Sequence, residues 1–367
     1  MRVLHIYKNY PPVRGGIENH LRTLATGLVC CGAGRVQVLV ASVGWQTTRE
    51  NDAGVEVIRA GRQLEVAQTP LSWRLCRELA RSTPDIVHLH VPYPMGELAQ
   101  LLFGRSRRLV MTYHSDIVRQ RHLLRLYEPI LWQVLHRADR IIVSSWRYAY
   151  SSRFLTPFLA KCVRVPYGID LAFFQKTDAA RVAMVRRSWP GPLVLFVGRF
   201  RYYKGLPYLV DAAQWIQGTV LLVGGGPTEA PLRRQVRRLG RRGRVIFAGE
   251  VSDDWLASYY AAADVFVLPS VERSEAFGIV QLEAMASGLP VVSTELGTGT
   301  SYVNVHGETG LIVPPRDARA LADAVNLLLK NPELRERLGA TGRARVAAQF
   351  TKDRMVEQVS TLYRSLM

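Results

Sequence analysis

Two glutamates eight residues apart, Glu275 and Glu283, stand in the stretch Ser274-Glu275-Ala276-Phe277-Gly278-Ile279-Val280-Gln281-Leu282-Glu283. If Gly278 opens a helix, Glu275 lies in the loop before it and Glu283 about one and a half turns in, among apolar positions. A carboxylate there needs hydrogen-bonding partners, since desolvating it alone costs about several kcal/mol. Vicinal sugar hydroxyls are suitable donors. Upstream, Phe196-Val197-Gly198-Arg199-Phe200-Arg201-Tyr202-Tyr203-Lys204-Gly205 ends a strand at Gly198 and sets Arg199 and Lys204 before the next helical stretch. An arginine fork and a lysine point charge at such a turn suit a diphosphate. Gly15 and Gly16, after the first strand, would let backbone amides at a helix start approach a phosphate or sugar oxygen. They do not make the GxGxxG dinucleotide fingerprint. His114 follows a strand. His88 and His90, two apart, share one face if extended; without a Cys or carboxylate cluster beside them they read as structural or acceptor-side, and no metal is expected.

The elements that must position these residues are legible as apolar runs. Arg2–Tyr7, Val36–Ala41, Val55–Arg59, Asp85–His88, Leu109–Tyr113 and Arg140–Val143 read as strands alternating with amphipathic helical stretches. A second series, Leu193–Val197, Thr219–Val223, Val245–Ala248, Val265–Leu268, Pro290–Ser293 and Leu311–Val313, restarts the pattern after Pro190-Gly191-Pro192. Runs rich in Val, Ile and Leu without polar alternation belong to parallel sheets covered on both faces. At 367 residues the chain exceeds the roughly 250–300 at which one core stops growing. The expectation is α/β with two Rossmann-like doubly wound domains facing across a cleft. Residues 1–170 form an N-terminal acceptor-binding domain and 171–348 a C-terminal donor nucleotide-sugar-binding domain. The last segment, 349–367, is a helix that can cross back to the N-terminal domain.

In this order the motifs resemble the retaining GT-B glycosyltransferases of family GT4, glycosyltransferase group 1. Glu275 to Glu283 is similar to that family's E-x7-E motif, Gly198-Arg199 with Lys204-Gly205 to its phosphate clamp, and Pro11–Glu18 to its glycine loop. Pro84–His90, Thr112–Ser115, Val165–Asp170 (P-x-G-[IV]-D), Val223–Pro227 and Gly310–Pro314 extend the likeness over nearly the whole chain. The resemblance implies Glu283 on the ribose and Glu275 on the donor sugar. It puts the amides of Phe277, Gly278, Ile279 and Val280 on sugar and phosphate, Arg199 and Lys204 on the diphosphate, Val251 beside the base, and His114 facing the sugar. It also implies retention of configuration without a metal, and no DxD pair for a metal-held diphosphate occurs. The only co-substrate needed is the nucleoside-diphosphate sugar, with no cofactor. The opening His5–Pro11 and Tyr113–Gln120 look like bacterial mannosyltransferases of O-antigen and exopolysaccharide assembly, which points to GDP-mannose ahead of UDP-hexoses. A glycan or polyprenyl-linked saccharide is the expected acceptor. A sugar-nucleotide epimerase and a non-enzymatic binder of anionic polymers are the readings from other classes.

Charge sets the surroundings. The chain carries 48 Lys and Arg against 30 Asp and Glu, +18 in all. Residues 1–170 hold 23 basic and 12 acidic residues, hence +11. Such a balance favours anionic partners. Arg119–Arg137, mixing basic residues with Leu, Tyr and Trp, reads either as an interfacial helix on an anionic membrane or, given Pro129, as a core-packed pair of helices. No RNP-like or recognition-helix pattern supports nucleic acid. With no apolar run near the ~18 residues of a span and no signal-peptide core, the expected location is cytoplasmic, or peripheral on the inner face of the membrane. Cys30, Cys31, Cys76 and Cys162 form no CxxC and read as mostly buried and reduced.

Overall fold

All twelve apolar runs are strands in the computed structural model, which describes every residue except 14, 67–68, 118–120 and 241–243. Arg14 of the glycine loop and the 118–120 end of the histidine stretch, with the start of the basic segment at 119, lie outside the described residues. The chain forms two units, Met1–Gly168 with Lys352–Met367, and Ile169–Thr351.

The strands of the first unit are β1 (Arg2–Ile6), β2 (Arg35–Ala41), β3 (Thr48–Asp52), β4 (Val55–Ala60), β5 (Leu64–Val66), β6 (Thr69–Leu71), β7 (Ile86–Val91), β8 (Arg108–Tyr113), β9 (Arg140–Val143) and β10 (Cys162–Arg164). One sheet runs β10-β9-β8-β7-β1-β2-β4-β3, parallel except for β3 against β4, and β5 pairs with β6 apart from it. The sequence pattern passes over β3 because Thr-Arg-Glu-Asn-Asp has no apolar residue. It is an exposed edge whose charges discourage further pairing. The final helix, Lys352–Leu366, packs on Gly16–Cys30 of this unit; a Cβ on Gly27 would overlap Val356.

Two expectations are corrected here. Arg121–Arg137 is one helix with Pro129 inside it, not a pair. Its Leu124, Tyr127, Leu131, Val134 and Leu135 are buried, leaving Leu126 exposed, so its apolar face is spent on the core of its own unit. Of the cysteines only Cys76 and Cys162 are buried; Cys30 and Cys31, at a helix end, are exposed. Among the described residues no helix is long and apolar enough to cross a membrane.

The second unit holds β11 (Leu193–Val197), β12 (Thr219–Val223), β13 (Val245–Gly249), β14 (Val265–Leu268), β15 (Val291–Thr294) and β16 (Gly310–Val313). They form one all-parallel sheet ordered β13-β12-β11-β14-β15-β16. Each sheet therefore reverses its winding once, between β1 and β7 in the first unit and between β11 and β14 in the second. Doubly wound sheets bind ligands beyond the carboxyl ends of the strands at that reversal.

Candidate functional site

In the second unit the reversal is built by glycines. β11, buried along its length, ends at Gly198 (φ 145°), where a side chain would be strained. Gly224 (φ 119°) lies so close that a Cβ on it would overlap the Gly198 carbonyl. Gly198 N donates to Val223 O (3.0 Å) and Gly224 N to Gly249 O (2.7 Å), which draws the ends of β11, β12 and β13 together.

A short 3-10 turn, Tyr202–Lys204, follows, and Val271 N after β14 donates to Tyr203 O (2.8 Å). That stitch across the reversal lays Lys204 against Glu275, with Nζ 2.6 Å from Oε2 and both side chains about nine-tenths buried. Ser270 Oγ donates to the same oxygen (2.9 Å). Burial pulls the Lys204 ammonium down, but the charge of Glu275, reinforced by Tyr203, the hydrogen bond to Glu275 and Glu283, holds it above the ordinary lysine value. The loop is braced from behind, since Thr298 Oγ1 donates to Glu275 O (2.9 Å) and Gly299 N to Ala276 O (2.8 Å).

The helix Ile279–Ala286 starts at Gly278 (φ 76°) with no side-chain cap. Its first amides therefore have no capping side chain, the condition in which a helix start attracts an anion. Glu283 on this helix accepts from the Tyr260 hydroxyl (2.7 Å). Burial raises its pKa, against the Tyr260 hydrogen bond and Lys204, with Asp253 adding to the rise. A methyl group on Gly278 would meet Gln281 Nε2 and Leu268 Cδ2, both at 2.7 Å, in a left-handed backbone. Gly278→Ala is expected to destabilise the protein by about 2–3 kcal/mol and weaken nucleotide binding. Denaturant unfolding and ligand titration check it, and wild-type values for both would remove the role given to this start.

Lys204, Glu275 and Glu283 are thus brought within electrostatic reach of one another. Arg199 is not part of that group: it is exposed and takes no partner among the described residues. Val251, Ile279 and Val280 are half-buried, and Phe277 is buried against Tyr302 and Phe350. Ser270, Tyr260 and Thr298 escape sequence reasoning because each acts through one hydroxyl at a partner fixed only by the fold.

In the first unit the reversal gathers histidines. Register sets His5 of β1 beside His88 of β7. With His90, His114 and His20 of the helix Gly16–Cys30 they form a buried cluster of five. His88 is held on both ring nitrogens, by Tyr363 (Nδ1, 2.5 Å) and Thr112 (Nε2, 2.6 Å). Both nitrogens of His114 are engaged, by His90 (3.0 Å) and Tyr167 (2.6 Å). Burial holds His5 and His20 down at about 3 and lowers His88, His90 and His114 well below the usual value. His5, His88 and His90, and likewise His20, His90 and His114, bring nitrogens within 4.8 Å of one another, a spacing that could hold a metal ion. Besides burial, His20 and after it Lys8 push the His114 pKa down. At Gly15 the space a Cβ would fill is taken by the Glu18 carboxylate, and Gly16 opens the helix.

Similarity to known proteins covers both units. The family model described as Glycosyl transferases group 1 matches residues 187–345, and Glycosyltransferase Family 4 matches residues 14–173. The chain is 37% identical to the O-antigen chain mannosyltransferase C of Escherichia coli, over 100% of this chain and 99% of that one. It is 39% identical to the D-rhamnosyltransferase WbpZ of Pseudomonas aeruginosa, over 96% and 92%. Among solved structures, sucrose-phosphate synthase from Thermosynechococcus elongatus superposes with a TM-score of 0.83 at 28% identity, over 100% and 98%. Anabaena HepE in complex with UDP-glucose gives 0.81 at 21%, over 100% of both chains, a likeness of fold.

Proposed function

The chain belongs to the family 4, group 1 glycosyltransferases of GT-B fold, and from that premise we propose that it transfers mannose from GDP-mannose, with retention of configuration and without a metal. The acceptor in this reading is a glycan or a polyprenyl-linked saccharide. The donor assignment draws on the relatives. One is named for mannose and another for D-rhamnose, which is 6-deoxymannose, and a relative from Mycobacterium tuberculosis, 32% identical, is named GDP-mannose-dependent.

The observation that carries the reading is the buried Lys204–Glu275 pair at the sheet reversal, beside a helix start with no side-chain cap. As the sugar–phosphate bond breaks, negative charge grows on the departing diphosphate. A fixed ammonium and helix amides oppose that charge without reorganising, which is the most effective form of transition-state stabilisation. Arg199, exposed just after β11, supplies a second cation. Glu283, braced by Tyr260, accepts from the ribose hydroxyls, and Val251 flanks the base. Glu275 holds Lys204 in place and offers its carboxylate to the donor sugar. The acceptor hydroxyl attacks the anomeric carbon as the nucleoside diphosphate leaves, and its proton departs with that leaving group. The +11 excess of residues 1–170 suits an acceptor presented on an anionic membrane.

Purified protein incubated with a panel of sugar nucleotides and a mannosylated lipid acceptor tests this. GDP-mannose is expected to be consumed, at a rate that EDTA leaves unchanged, to give a product with the anomeric configuration of the donor. Preferential use of a UDP-hexose would replace the donor, and inversion or EDTA sensitivity would overturn the mechanism. Glu275→Gln is expected to lower turnover at least about tenfold, with nucleoside diphosphate binding unchanged or tighter, because the lysine loses its internal counter-charge. Equal losses for donor and nucleoside diphosphate would instead make Glu275 a prop of the loop.

A further inference from the structure

Four side chains of the first unit form an unbranched line. His5 Nδ1 lies 3.1 Å from His90 Nε2, His90 Nδ1 lies 3.0 Å from His114 Nε2, and His114 Nδ1 lies 2.6 Å from the Tyr167 hydroxyl. The rings of His90 and His114 stack at 14°, and those of His114 and Tyr167 at 21°. All four side chains are buried.

A neutral imidazole carries one N–H and one bare nitrogen. In such a line every ring must therefore point its proton the same way, and turning one over turns them all. At the far end His5 Nε2 meets no partner among the described residues, so nothing there selects a direction. At the other end the Tyr167 hydroxyl lies 2.6 Å from His114 Nδ1, and because a phenol is a much better donor than acceptor toward an imidazole nitrogen it favours the tautomer with a bare Nδ1 and the His114 proton on Nε2. Because both nitrogens of His114 are held within the protein, what its ring offers a reaction is a fixed dipole, and the tautomer decides which way that dipole points.

We propose that Tyr167 is a positioning residue: its hydroxyl on His114 Nδ1 selects a single tautomer of the His5–His90–His114 line and thereby orients the His114 dipole for transfer. The inference rests on the reading that gives His114 a part in the reaction. Tyr167 occupies the open position of the P-x-G-[IV]-D segment, Pro166-Tyr167-Gly168-Ile169-Asp170, so the motif itself does not prescribe it.

Tyr167→Phe in the full chain tests the proposal by two independent readouts. In wild type, ¹⁵N spectra of the histidine side chains should show one pure tautomer at His114; in the variant its two nitrogens should move toward averaged shifts. Turnover should fall roughly tenfold or more, as when a tautomer-orienting partner is lost elsewhere, with nucleoside diphosphate affinity unchanged. A folded variant with unaltered His114 shifts overturns the proposal. Altered shifts with wild-type turnover overturn its link to catalysis. If wild type transfers no sugar from any donor while the shifts still change, the functional reading fails and the tautomer selection stands. Should the variant not fold, His90→Gln breaks the line at its middle and is expected to change the same two readouts. Stoichiometric zinc on these imidazoles in the purified protein would also overturn the proposal, because the ring nitrogens would then be ligands.

Discussion

Taking the protein from pH 7.5 to pH 5.5 is expected to destabilise its histidine-bearing unit by several kcal/mol. His5, His20, His88, His90 and His114 are all buried, and burial depresses each pKa, to about 3 for His5 and His20. A histidine whose pKa is lower in the folded state than in the unfolded one binds fewer protons when folded, so stability drains away as pH falls below the unfolded value of 6.5 and goes on falling toward the folded pKa. At pH 5.5 each such group costs roughly 1–2 kcal/mol, and five together about 7 kcal/mol.

One nearby group works the other way. Glu97 is buried, accepts from Tyr93 N (2.8 Å) and the Tyr127 hydroxyl, and burial pushes its pKa up to about 7. It favours folding at low pH, and its contribution is lost as pH rises from 4.5 through 7. Protonating it over the same interval returns about 2 kcal/mol. The net loss of about 5 kcal/mol compares with a whole domain's stability of roughly 5–15 kcal/mol. Denaturant unfolding between pH 5 and 8, followed by fluorescence, measures it. A transition with constant midpoint over that interval would mean that the histidines are not held neutral and dry. His20→Phe, which removes a ring with no hydrogen-bond partner among the described residues, should flatten the profile by about one group's share.

Lys204→Met is expected to cost about 3–5 kcal/mol of stability, because it leaves the Glu275 carboxylate buried without its cation. Ser270 remains as a donor, and one neutral hydroxyl does not replace an ammonium at 2.6 Å. The double change Lys204→Met with Glu275→Leu should recover most of the loss, since removing both charges also removes the desolvation that the pair must overcome. Function separates from stability in this series. Both the single and double variants should bind nucleoside diphosphate about 1.5–3 kcal/mol more weakly, the value of one charge-assisted contact. Thermal melts and nucleotide titration on the same samples distinguish the two effects. A stable single variant would show that the two side chains are not coupled, and unweakened binding would take Lys204 out of the diphosphate site.

Sequence alone determined the repeated strand–helix pattern and the order of the motifs. Runs such as Leu-Val-Leu-Phe-Val at 193–197 are buried on both faces wherever they fold, so their meaning is local, and the Glu275–Glu283 spacing is set by the helix that begins at Gly278. The exposed strand Thr48–Asp52 left no such trace, since an edge is defined by its neighbour rather than by its own residues. Tertiary structure alone decided what each charged group touches. Lys204 and Glu275 are 71 positions apart, and only the pairing of β11 with β14 makes them an ion pair while leaving Arg199 exposed. The five histidines come from β1, β7, the end of β8 and a helix. No spacing rule joins them, because side-chain contacts across a parallel sheet depend on register and on the order in which its strands are laid down.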